Sequence, residues 1–544
     1  MLTYTPNPKP QRKDRPWLLV ILAVIWIGGA SFFHAPWEPY EPFVTAVVKS
    51  ILATNSWLVP RIAEGTPYLD LQPFYFWIYA IIIRIFHFSD IVNAIRLINS
   101  LIILLVIYFM GRLGSGLNAY KNGRTVVMIL ISSIGFINNA YQLSPNIVVL
   151  LGFTLYFYAL QQLDKMPGIS AWILSLGLIL ISLNFTGEFI VIALLLLVIL
   201  PVINRQWNHS RYYLTAFAGI GLFALIFFSY AWQLERVNHR FFVEWESKYS
   251  SFLFFTPDNW LSNALFYLQT MAWYLVPGWF LLLWTFYKRR KQVFRDKILQ
   301  ASVIFILLLA VFAICSNNLS ENVLFPLIIP FVLLASVEVD SIRITIVSLL
   351  NWFSIFVFGF AGIFLVLLYV ALNFGHPVDL LSKAQFYAPT YIFNFNFWQF
   401  SLAVISAGIW LFMITRKHIR GREMTSNWAS GTTFVLAMFV SLCLPWFNQV
   451  LTFKDVVTSS IPYLNKNNHC IATTGSNQLQ NAIWYYYADV VFSPQKNIMA
   501  SDCDQALIAV EPDSILNYPG WDVIWSAKRP VDTRRYVLLQ RKQN

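Results

Sequence analysis

For most of its length the chain shows neither the alternating pattern of a half-buried strand nor the striped pattern of a soluble helix. Its apolar residues run on in long blocks instead. A helix needs about 20 apolar residues to cross the hydrocarbon core of a bilayer. Thirteen blocks approach that length, at 17–33, 91–111, 125–140, 146–162, 169–184, 188–203, 212–231, 262–287, 298–315, 321–337, 344–374, 397–415 and 427–446. Each is expected to be a spanning helix. A further stretch at 73–86 is short, starts at a proline and carries Arg84 inside its apolar run. It reads as a helix lying on the membrane. Beyond residue 446 the pattern changes. Runs at 469–474, 505–510, 521–525 and 536–540 read as strands and 478–488 as a helix, which together make a small α/β domain. The expected fold is thus an all-α polytopic membrane domain, 1–446, of about thirteen transmembrane helices. Its first outer loop, 34–90, carries interfacial helices, and a C-terminal α/β domain follows at 447–544.

Composition agrees with this pattern. Of 544 residues, 58% are apolar and only 12% charged, half the charged share of an ordinary soluble domain. The mean hydropathy is +0.59. A water-soluble enzyme, a disordered chain and a nucleic-acid binder are excluded. The net charge of +12 first reports orientation, because short inner loops collect Lys and Arg. With 73–86 kept out of the membrane, the inner loops hold 21 basic residues and the outer loops up to 446 hold seven. Making 73–86 a span would invert every later loop and place Lys288-Arg289-Arg290-Lys291 outside. The N-terminus is therefore expected in the cytoplasm and the C-terminal domain outside. The basic start, Lys9 to Arg15, resembles a signal peptide, but the apolar run continues into Phe33-His34-Ala35-Pro36-Trp37. A retained first helix is the better reading.

Chemistry concentrates on the outer side. The first outer loop contains Trp37-Glu38-Pro39-Tyr40-Glu41-Pro42 and Pro67-Tyr68-Leu69-Asp70-Leu71-Gln72-Pro73. Two acidic clusters flanking interfacial helices suit a membrane-embedded substrate with a polar head; a solvated loop is the plainer alternative. The segments 141–146, 184–188 and 232–261 read as polar caps at the water interface, the last carrying Arg240 and Lys248. No HExxH, CxxC, P-loop or GxSxG motif is present. Two acids on separate elements make no recognisable metal-ligand spacing, so no cofactor is assigned and a divalent metal stays open. Cys470 and Cys503 are expected to form a disulfide in an oxidising envelope, with two free thiols as the alternative. Cys315 and Cys443 fall inside spans and read as small apolar residues.

Segments 37–65 and 67–73, then Ala94-Ile95-Arg96-Leu97-Ile98-Asn99-Ser100, Gly111-Arg112-Leu113-Gly114 and Leu324-Phe325-Pro326, and in the tail Pro519-Gly520-Trp521 and Arg529-Pro530, resemble the bacterial aminoarabinose-transferase-like glycosyltransferases. These are relatives of the protein O-mannosyltransferases, with the GT-C fold. The resemblance implies an enzyme of the bacterial inner membrane that takes a sugar from a polyprenyl-phosphate carrier on the outer face. The acceptor would be a lipid A-like lipid, a glycan or a protein. Its charged positions are changed here. The family's opening Asp-Glu pair falls on Tyr40-Glu41, its Glu-Lys-Pro-Pro on Asp70-Leu71-Gln72-Pro73, and an Asp on Asn146. A Lys before Gly falls on Thr186, and a Lys-Arg on Leu319-Ser320. The expected roles are Glu41 as catalytic base with Asp70 as its partner, and Tyr40, Glu38, Asn146, Arg240 and Lys248 as substrate-binding residues. A catalytically degenerate member that binds a polyprenyl-phosphate lipid, or partners an active transferase, is the alternative. A transporter ranks third, because no inverted repeat or broken-helix pair is legible.

Overall fold

The computed structural model describes residues 17–30, 34–63, 66–117, 123–253, 259–289, 293–316, 319–389, 391–393, 395–415, 421–465, 470–474, 478–495, 498, 501–511 and 518–542. The basic N-terminal segment 1–16 lies outside them. Among the described residues, each of the thirteen apolar blocks lies largely on helix. Among the described residues, six helices are long and apolar enough to cross a membrane: Ile91–Gly116, Ser210–Val237, Lys297–Cys315, Ile344–Phe374, Phe397–Ile414 and Gly421–Leu451. Two bent pairs raise this to eight. Others are shorter, Pro73–Phe86 and Glu188–Ile203 among them. At 1.5 Å per residue the 14 residues of Pro73–Phe86 reach only about 21 Å, too short for a bilayer core.

The long helices put large apolar side chains on the outside. Phe217, Leu225 and Phe228 on Ser210–Val237, and Leu349, Trp352 and Phe360 on Ile344–Phe374, are more than half exposed. Lipid suits such a surface and water does not. Between helices the packing relies on small and polar residues, since lipid removes the hydrophobic drive for association. Gly152 and Gly177 bring two helices together so closely that a Cβ on either would come within 2.9 Å of the other's carbonyl oxygen. Deeper in, Asn427 donates to Asn351 at 2.8 Å.

Two of the expected straight spans are broken. Gly123–Ser132 and Ile134–Ala140 meet at 71°, and Trp260–Tyr274 and Gly278–Arg289 at 102°. Pro277 has no N–H to continue a helix, and its ring crowds the preceding turn. The two breaks lie against each other and share polar groups. Ser133 Oγ donates to the carbonyl of Tyr274 at 3.3 Å, and Asn139 Nδ2 donates to the Tyr274 hydroxyl at 2.6 Å. Broken helices therefore exist here, against the expectation that none does; the hydropathy of 262–287 is continuous and conceals the bend.

Segment 34–90 folds into the Glu41–Thr54 helix, a two-residue ladder of β1 (Arg61–Ile62) with β2 (Thr66–Pro67), and the Pro73–Phe86 helix. The C-terminal region builds one mixed sheet from β3 (Ile471–Thr474), β4 (Phe492–Gln495), β5 (Gln505–Val510), β6 (Trp521–Ala527) and β7 (Arg535–Arg541), in the order β4-β3-β5-β7-β6. β3 runs parallel to both neighbours, while β5, β7 and β6 are antiparallel. The four strands and the Gln478–Ala488 helix read from the sequence are all present, and β4 is an addition. Cys470 and Cys503 are joined by a disulfide.

This sheet domain sits on the first loop through two charged ties. Lys49 donates to the carbonyls of Tyr485 and Tyr486 at 3.1 and 3.0 Å and pairs with Asp489 at 2.6 Å, at the C-terminal end of Gln478–Ala488. A cation there opposes the negative end of the helix dipole. Arg529, 6% exposed, donates to Glu38 at 2.8 Å and to the carbonyl of Leu451 at 2.7 Å, and its guanidinium lies 3.4 Å from the centre of the Phe453 ring.

Candidate active site

Glu41 opens its helix and is 4% exposed. Its carboxylate accepts from the Trp37 amide at 3.0 Å and from Arg96 Nη2 at 2.9 Å. Arg96, itself 2% exposed, also donates to the carbonyls of His34 and Ala35. A buried charge must be paired to be tolerated, and the Glu41–Arg96 pair meets that need, although Arg96 Nε is buried without a partner among the described residues. The expected base is thus an anchor that fastens the first loop to Ile91–Gly116.

The neighbouring Tyr40 turns the other way, into a cavity of about 330 Å³. Its ring lies 5.8 Å from that of Phe185. Burial raises the phenol above its ordinary value, only partly offset by a hydrogen bond with Asn322. Tyr40 is a neutral donor and acceptor there, not a base. Across the cavity stand Asn184, Thr186 and Glu188 at the start of Glu188–Ile203, with Ser320 and Asn322 from the segment that precedes Ile328–Val337. Glu188 is 8% exposed, and its two carboxylate oxygens accept from Asn184 Nδ2 at 2.7 Å and from the Thr186 hydroxyl. Among the described residues no cation pairs with it. Gly187 makes the turn possible: a Cβ would press within 3.0 Å of the Tyr249 and Phe252 rings.

The expected site residues thus separate. Tyr40 lines the cavity. Asp70 and Lys248 pair with each other, both about half exposed, on segments that border it. Gln72, two residues after Asp70, reaches the carbonyl of Phe185 at 3.5 Å and accepts from Trp245 at 2.7 Å, while the Tyr249 carbonyl accepts from the Gly187 amide at 2.9 Å. Glu38 is held by Arg529. Asn146 lies in the core, donating to Asn139 at 2.7 Å. Arg240 is exposed and pairs with Glu244 on its own helix, away from the lining. Glu188 is the addition. Of the positions where the resemblance loses charge, Tyr40, Thr186 and Ser320 line this cavity, whereas Leu71, Asn146 and Leu319 do not. Among the described residues no group of three His, Cys, Asp or Glu side chains could hold a metal.

No protein-family model matches the chain, and none of the curated proteins compared with it is similar in sequence. In structure it is similar to ArnT from Cupriavidus metallidurans bound to undecaprenyl phosphate, with a TM-score of 0.65 and 14% identity over 96% of this chain and 97% of that one. The apo state of the same protein gives 0.64 and 13% over the same shares. The Archaeoglobus fulgidus oligosaccharyltransferase in the apo form gives 0.48 and 12%, covering 90% of this chain and 65% of that chain. At such identities the likeness to ArnT is one of fold. The chain has the GT-C fold, from the first helix to the C-terminal sheet.

Proposed function

We propose that the chain transfers a sugar from a polyprenyl-phosphate carrier to an envelope acceptor (a lipid A-like lipid, a glycan or a protein) at the outer face of a bacterial inner membrane. One observation carries the reading: within a whole-chain GT-C fold, the cavity beside Tyr40 holds a buried carboxylate, Glu188, with donors on both oxygens and no ion-pair partner among the described residues. An acceptor hydroxyl entering the cavity gives its proton to Glu188 as its oxygen attacks the anomeric carbon. The bond from that carbon to the carrier phosphate breaks, and the phosphate leaves with the electron pair. Lys248, on a segment that borders the cavity, turns from Asp70 to the departing phosphate and offsets its charge. Asp70 is the partner that holds Lys248 in place before substrate arrives. Tyr40, Asn184 and Asn322 offer hydrogen bonds to sugar hydroxyls. The lipid tail stays among the apolar helices.

The second reading, a silent relative that holds a polyprenyl-phosphate lipid or partners an active transferase, rests on a specific observation too. The described lining of the cavity has no Lys or Arg. Mass spectrometry of envelope lipids and glycoproteins decides between them, using cells that lack the gene and cells complemented with the native chain or with Glu188→Gln. Transfer predicts a sugar-sized mass difference that the native chain restores and Glu188→Gln does not. An unchanged profile on deletion, with the purified protein still binding polyprenyl phosphate, leaves the silent reading.

A further inference from the structure

A second pocket lies far along the chain from the Tyr40 cavity, between Gly278–Arg289 and the start of Ile344–Phe374. It encloses about 500 Å³. Its walls are Leu283, Trp284 and Tyr287 on one side and Ile342, Ile346 and Leu349 on the other. Gly278–Arg289 begins just after the 102° bend. Two ties keep the pocket open: Trp284 Nε1 donates to Ser341 Oγ at 3.1 Å, and Arg289 pairs with Glu338. Arg343 stands in its lining, and Lys288 follows Tyr287 in the chain. Both are exposed. Among the described residues neither has a carboxylate partner. By the count of basic residues, this is the inner face.

We propose that this groove binds an anionic phospholipid, one acyl chain lying against Leu283, Trp284 and Leu349 and the phosphate resting on Arg343 and Lys288. The acyl chain alone gives no preference, since it leaves one apolar medium for another. Selection rests on the headgroup, where each cation near the membrane surface favours an anionic lipid about fivefold. A basic pocket between spanning helices is a recognised form of lipid headgroup site.

The test uses the full-length protein, purified in mild detergent and offered equal amounts of phosphatidylglycerol and phosphatidylcholine with matched chains. Native mass spectrometry then counts the retained lipids. The native chain is expected to retain phosphatidylglycerol at least about fivefold over phosphatidylcholine. Arg343→Gln with Lys288→Gln should bring the two toward equality, while Arg343→Lys keeps the preference. Leu349→Trp, which fills the groove, should lower retention of phosphatidylglycerol. Equal retention by the native chain, or a preference unchanged in the double variant, overturns the proposal. Among the described residues neither cation carries an ion pair, so melting temperatures near that of the native chain identify properly folded variants.

Discussion

Glu41 and Glu188 are both carboxylates in the first turn of a helix, both more than nine-tenths buried, and only one of them faces an arginine. Removing one partner of a buried ion pair leaves the other charge stranded, at a cost of about 3–5 kcal/mol. Arg96→Met should therefore lower the melting temperature of the purified protein sharply. Adding Glu41→Gln should recover much of the loss, because no charge is then left unpaired. Glu188→Gln behaves differently: the fold is kept, with a melting temperature near native, and transfer is lost. Tyr40→Phe removes one hydrogen bond worth about 1 kcal/mol. Its expected effect is a KM raised about fivefold, with no change in the pH profile, since the buried phenol stays protonated throughout the neutral range. The sequence does show Glu41 as a surviving acid in the right loop. It does not show Arg96, 55 residues further on, closing over it. Glu188 was legible only as a polar cap before an apolar run, because its donors Asn184 and Thr186 become informative once the turn places them on its oxygens.

Helices were the most legible elements, since unbroken apolar length is a direct requirement of the bilayer. Breaks inside that length were not, because hydropathy is blind to direction and the opened backbone is satisfied from a distant position, as where Ser133 donates to the carbonyl of Tyr274. Close helix contacts are equally invisible in composition. Gly177→Leu should separate two helices that meet at carbonyl distance, at a cost of about 1–3 kcal/mol from overpacking, read as a lower melting temperature with the cavity chemistry otherwise intact. On the side of the basic loops, Asp164 pairs with His209 at 2.9 Å and Lys297 at 2.7 Å, joining three connections. Burial pushes its carboxyl up, but the two partners outweigh that and hold it below the ordinary value. A carboxylate lowered on folding adds stability above its unfolded value, about 3.9, and loses it as the pH falls through the folded value. Unfolding measured from pH 7 downward should therefore show this contribution intact to about pH 5 and fading below about pH 4. Asp164→Asn should remove that acid-sensitive part, which is under about 1 kcal/mol for so exposed a pair.

At the scale of the whole molecule, the change of composition after residue 446 and the strand pattern beyond it reveal a separate sheet, but not where it rests. Its seat is decided by Lys49 on Tyr485, Tyr486 and Asp489, and by Arg529 on Glu38. Glu38 lies two residues before Tyr40, so Arg529 binds the sheet domain to the same turn that aims Tyr40 into the cavity. Hydrogen bonds to charged groups contribute about 1.5–3 kcal/mol each, and Arg529 also donates to the last helix of the membrane domain at Leu451. Arg529→Met should consequently loosen three places together: the turn at 34–41, the helix end at Leu451 and the β6–β7 connection. Hydrogen exchange on the full-length protein reads this directly, as faster exchange in all three segments while the distant Gly152–Gly177 helix pair is unchanged. Glu38→Gln, which keeps a hydrogen-bond acceptor but not the charge, should give a weaker form of the same pattern. If exchange rises only in the sheet domain, the domain is seated by its helix packing alone, and the tie from Arg529 to the Tyr40 turn has no part in holding the cavity's shape.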